Sequence, residues 1–135
     1  MTTPVQEQKT VTAGAAGAAS LTSTELAHKI IDLVEDKQAS NITLLDLRQI
    51  SVLADYFVIC TSESDRQTAA IVDSVAMDLK RGGTRPLNPA EGGKGAGWTL
   101  LDFADVVLHV FDPTTRHFYN LEELWKDAPV VVKIQ

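Results

Sequence analysis

The run Gly97-Trp98-Thr99-Leu100-Leu101-Asp102-Phe103-Ala104-Asp105-Val106-Val107-Leu108-His109-Val110-Phe111 constrains the fold of this chain more than any other. Two apolar segments flank a short Asp-Phe-Ala-Asp connection, the pattern of two consecutive strands. A glycine-rich lead-in precedes the first strand, which opens on Trp98, and the second holds His109 inside an aliphatic run. Strand alternation puts Trp98, Leu100 and Asp102 on one face, with Thr99 and Leu101 on the other. Segments this apolar must cover either the chain's own core or a partner.

The remaining elements follow from periodicity. Thr24 is placed to cap a helix through Leu26, Ile30, Leu33 and Val34, an i, i+4, i+7, i+8 stripe. Ile42 to Leu47 forms a first strand, and the near-continuous apolar run Tyr56 to Thr61 a central one. Ser64 or Asp65 caps a second helix with Ala69, Ile71, Val72, Val75, Ala76 and Leu79 at helical spacing, stopped by Gly82-Gly83. Arg85-Pro86-Leu87-Asn88-Pro89 is at best a short edge strand, because its prolines cannot donate to a ladder. Asp112-Pro113 starts a helical segment around Leu121, Leu124 and Trp125, and Val130 to Ile134 is apolar enough to dock or add a strand. The expected order, α-β-β-α-β-β-β-α, gives a mixed sheet flanked by helices, an α/β or α+β domain over residues 23–135. Residues 1–22 have too little to bury to offset ordering entropy and are expected to form a disordered arm.

Composition removes several classes. At 135 residues and 44% hydrophobic, the chain suits one compact domain plus a tail. No apolar run nears the roughly 20 residues of a membrane span. The N-terminal stretch has Lys9 as its one basic residue and lacks a signal peptide's apolar core, so cytoplasmic residence is expected. The single cysteine, Cys60, fits a reducing compartment and sits in a strand as buried filler. With 12 Lys/Arg against 18 Asp/Glu, net charge −6, an extended grip on phosphates is disfavoured, whereas a basic protein remains a fitting partner.

Catalytic readings fare poorly residue by residue. The loop from Glu91 to Gly97 has four glycines and Lys94, but a phosphate-binding loop runs into a helix through Gly-Lys-Ser/Thr, and this one runs into a strand. Asp102 and Asp105 sit three apart across a turn, a spacing suited to turn chemistry or to a cationic partner rather than a metal. His109 is expected to be a sheet histidine held by one hydrogen bond. No nucleophile elbow surrounds Ser62 or Ser64, which leaves no hydrolase triad with His109. His28, His109 and His117 are too scattered for zinc. Trp98 stays open between core filler and a binding hot spot.

Several segments then resemble one family in order and spacing. They are Asp55-Tyr56-Phe57-Val58-Ile59-Cys60-Thr61, Ser64, Arg66-Gln67, Glu91-Gly92, Trp98 through Asp102, Asp105 through Phe111, Arg116, Phe118-Tyr119, Leu121-Glu122 and Leu124-Trp125. Together they are similar to the Iojap-like ribosomal silencing factor family over roughly residues 23–129. Each fragment is weak alone; their succession is specific. Residues 1–22 and parts of the glycine loop fall outside the family core, and Leu108 is a mild departure.

The resemblance implies a nucleotidyltransferase-like fold without transferase activity. Where catalytic members of that superfamily carry a Gly-Ser turn and alternating carboxylates, this chain has Thr61-Ser62 and no Asp-x-Asp. The family likeness also implies binding to a large-subunit ribosomal protein of the uL14 type at the intersubunit face. Binding there blocks subunit joining, represses translation and accompanies large-subunit assembly. It implies no cofactor, metal or membrane and little direct nucleic acid contact. On this reading Trp98 and Leu100 form the apolar centre of the contact, and Asp102 and Asp105 meet cations of a basic ribosomal protein. Two alternatives stand beside it: a nucleotide-binding enzyme using Ser62, Ser64, Arg66 and the glycine loop, and a homodimer through the apolar strand.

Overall fold

The structure, a computed structural model, describes residues 21–93 and 95–135. The expected arm lies outside the described residues apart from its last two. Helix α1 (Ser23–Asp36) is capped by Thr22 rather than Thr24. Thr22 is extended and has Glu25 three residues on, so its hydroxyl accepts the Glu25 N–H at 3.1 Å while Glu25 accepts the Thr22 N–H at 2.9 Å. Thr24 is followed at that spacing by Ala27, and its hydroxyl pairs with the Tyr56 hydroxyl at 2.8 Å instead.

Strands β1 (Ser40–Asp46) and β2 (Tyr56–Thr61) follow, then helix α2 (Asp65–Arg81), capped by Ser64 and ended at Gly82. The hairpin β3 (Trp98–Asp102) and β4 (Val106–Phe111) forms where the paired apolar runs predict it. The sheet is mixed, in the order β3-β4-β2-β1-β5, with β5 spanning Val130–Ile134. Only β2 and β4 are parallel among its neighbours, and β2 is central as its unbroken apolar run requires.

Two further expectations are corrected. Residues 85–89 form no strand, because Pro86 and Pro89 cannot donate. What pairs with β3 there is a Leu87 N–H to the Asp102 carbonyl and a single bridge between Glu91 and Leu100. The C-terminal helical segment is also two pieces, α3 (Pro113–Tyr119) and α4 (Leu121–Leu124), because Asn120 adopts a left-handed φ of 47°. Asp112 caps α3 by accepting the Thr115 N–H at 2.7 Å, which holds its carboxyl below the usual range.

Alternation sorts the sheet into two faces. One carries Ile42, Leu44, Tyr56, Val58, Cys60, Leu101, Val106, Leu108 and Val110, all buried under α1 and α2. The other carries Leu45, Ile59, Val107 and Phe111, covered in part by Leu47, Ala54, Leu121 and Ala128. Phe57, Trp98, Leu100 and Trp125 on this second side are only partly buried. The first face is a closed core; the second is half open.

Candidate docking face

The half-open face is built in rows across the sheet. Trp98 pairs with Phe111, Leu100 with His109 and Asp102 with Val107, so the β3 stripe lies beside buried β4 neighbours. The Trp98 indole stacks on Phe111 at 4.8 Å between ring centroids and leans on Tyr119 at 4.9 Å. Its Nε1–H donates to Nδ1 of His109 at 3.2 Å. Since Nδ1 accepts, the neutral ring carries its proton on Nε2, which is buried with no hydrogen-bond partner among the described residues. Phe57 meets the His109 ring edge-on at 4.5 Å, and Trp125 meets Phe57 at 5.6 Å. Burial pushes the His109 pKa down to about 4, so at neutral pH the imidazole is an uncharged strut. The single hydrogen bond expected for this histidine exists, and its donor is Trp98. That coupling fixes the indole at the sheet edge.

Asp102 ends the stripe. Its Oδ1 accepts the Ala104 N–H at 2.7 Å, which fastens a turn whose Ala104 has φ 72°. Asp105 is exposed, and its backbone carbonyl accepts the N–H groups of Asp55 and Tyr56. The two carboxylates therefore sit at one end of the stripe, at the hairpin turn, while Trp98 marks the other.

In the glycine loop, whose Lys94 lies outside the described residues, Gly92 and Gly97 are packed onto their neighbours. A Cβ on Gly92 would lie 2.2 Å from the Trp98 carbonyl oxygen, and one on Gly97 would meet Thr115 at 2.3 Å. These glycines serve close packing, as a connector does. Ser62 donates to the Ser64 carbonyl and accepts from Thr68, both at 2.8 Å, so it braces the start of α2 and does not meet His109. Cys60 is buried and its thiol is pushed up to about 12, which removes thiolate chemistry at neutral pH. Among the described residues no group of His, Cys, Asp and Glu is arranged to hold a metal ion, and no helix is long and apolar enough to cross a membrane.

Residue-by-residue reading missed the part played by Arg116. Its guanidinium donates to the Asn41 carbonyl, to Thr61 Oγ1 at 2.9 Å, to Thr43 Oγ1 at 3.2 Å and to the Glu122 carboxylate. It ties α3 and α4 to the strands they cover, and so sets how much of the second face stays open. The partners lie up to 75 positions away in sequence, so no local pattern announces them.

A mixed five-stranded sheet with two long helices on one face and, on the other, an aromatic row partly covered by two short helices defines an α+β domain of a recurring kind. A crystal structure of a Chromobacterium violaceum protein matches it with a TM-score of 0.74 at 32% identity, covering 78% of this chain and 88% of that one. A Bacillus halodurans crystal structure gives 0.70 at 36% identity, covering 81% and 98%. The family model described as "Ribosomal silencing factor during starvation" matches residues 20–135. The ribosomal silencing factor RsfS of Halalkalibacterium halodurans is 38% identical over 111 residues, 82% of this chain and 94% of the relative. That of Bacillus subtilis is 44% identical over 96 residues, 71% and 80%. The maize chloroplast protein Iojap is 36% identical over 93 residues, 67% of this chain and 39% of that protein. The chain belongs to the ribosomal silencing factor family.

Proposed function

We propose that this protein represses translation by docking on the large ribosomal subunit through the half-open sheet face. Its direct partner there is a basic ribosomal protein of the uL14 type at the intersubunit face. Occupying that surface excludes the small subunit sterically, so no chemical step is needed, and the names of its relatives describe regulatory factors rather than enzymes. The observation that carries this reading is the Trp98–Leu100 stripe, partly exposed at the sheet edge and ending on Asp102. A braced aromatic with an acidic margin is the composition of a protein-binding hot spot. A chain of net charge −6 approaches a basic protein favourably even among RNA phosphates.

Co-sedimentation with purified bacterial large subunits tests the proposal, followed by addition of small subunits. Wild type is expected to travel with the large subunit and to lower the yield of joined ribosomes. Trp98→Ala should cost about 2–4 kcal/mol of binding, roughly 30- to 1,000-fold in affinity. Asp102→Asn keeps the Oδ1 acceptor for Ala104 and removes only charge, so weaker binding by that folded variant isolates the electrostatic part. Unchanged binding by both variants would refute the assignment of this face.

A further inference from the structure

We propose that Glu91, Gly92, Trp98 and Leu100 form a slot that takes one lysine or arginine side chain from the basic protein partner. The inference rests on the docking reading above and extends it to a residue outside the strands. Glu91 is held against the outer edge of β3 by two reciprocal bonds, its N–H to the Leu100 carbonyl at 2.9 Å and the Leu100 N–H to its own carbonyl at 2.8 Å. Directly opposed residues of an antiparallel pair project to the same face. The Glu91 side chain therefore lies beside Leu100, on the face that carries Trp98. The four residues line a depression of about 230 Å³.

Gly92 explains why the carboxylate stays there. Its φ of +108° and the 2.2 Å clearance to the Trp98 carbonyl leave no room for a Cβ, so glycine lets the chain close against β3 right after Glu91. Ion pairs elsewhere join Lys29 and Arg81 to Asp78, Arg48 to Asp46, Arg116 to Glu122 and Lys126 to Glu123. Among the described residues no cation is paired with Glu91.

An anionic rim over an indole wall and a leucine wall matches a long cationic side chain. The methylene stem lies along Trp98 and Leu100 while the charged head meets the carboxylate. Phosphate is the wrong ligand for such a slot, since Glu91 and Asp102 present negative charge along the same stripe.

The test titrates wild type, Glu91→Gln, Glu91→Asp and Glu91→Lys against purified large subunits at low and moderate salt, with thermal melts of each protein. Because the bonds holding residue 91 are backbone bonds, Glu91→Gln should melt like wild type. It should bind about tenfold more weakly at low salt and show a flatter salt dependence. Glu91→Asp should recover part of the loss, and Glu91→Lys should bind more weakly than Glu91→Gln. Glu91→Gln binding like wild type at both salts overturns the slot while leaving the docking face standing, provided Leu100→Lys still weakens binding. Tighter binding by Glu91→Lys also overturns it, because the residue would then face RNA phosphate. Failure of wild type to co-sediment overturns both.

Discussion

The two faces of the sheet are made from the same strands yet are finished differently. The helix side is mostly aliphatic, sealed by 14 residues of α1 and 17 of α2, and buries Val58, Leu108 and Val110 to 1% exposure or less. The opposite side is richer in aromatic rings and is covered by short helices of 7 and 4 residues that leave Trp98 and Leu100 partly exposed. Aliphatic packing suits permanent burial, whereas aromatic rings with polar handles suit a surface that is sometimes wet. One face thus holds the fold together, and the other, partly exposed, is the one we propose meets the partner.

This contrast breaks most sharply under paired truncations. Leu108→Ala, in the sealed face, should lower unfolding free energy by about 2–5 kcal/mol in urea titrations. Leu100→Ala, in the half-open face, should cost about 1 kcal/mol or less, because its side chain is partly exposed before the change. Equal losses for the two would erase the distinction between the faces.

His109 gives the next largest effect and confines it to acid. Its folded pKa of about 4 lies below the ordinary value of 6.5, so between these values the unfolded chain binds more protons. Stability from this group is complete above about pH 6.5 and is lost as pH falls toward 4. From about pH 7 to about pH 5 the loss should reach about 2 kcal/mol. His109→Gln should flatten that part of the profile, as read by urea midpoints, and should also release the Trp98 N–H from its acceptor.

The smallest expected effect sharpens the edge of the half-open face. Asp102→Asn should leave the melting temperature close to wild type, while large-subunit binding weakens several-fold and loses part of its salt dependence. A variant that melts lower without weakening binding would make Asp102 a turn residue alone.

Much of the fold is legible in the chain because its strands and long helices carry their own periodicity. Tyr56 to Thr61 announces a central strand, and Gly97 to Phe111 announces a hairpin, without reference to anything distant. The misses share a physical origin. Thr22 outcompetes Thr24 through a glutamate three residues away, and Asn120 breaks a helix by adopting a left-handed conformation that an amphipathic pattern does not encode. The stripe of Trp98, Leu100 and Asp102 follows from alternation alone. Its brace does not, since Trp98 and His109 meet only after β3 and β4 pair, and Glu91 gains its place through a bridge outside any strand.

Hydroxyl-radical footprinting of the wild-type protein, alone and saturated with large subunits, tests the division of labour between the faces most directly. Trp98 reports on the half-open face, and Met77, 59% exposed on α2, reports on the helix side. Oxidation of Trp98 should fall on binding while Met77 stays at its free rate. Protection of Met77 with Trp98 unchanged would contradict the account and place the partner on the helices.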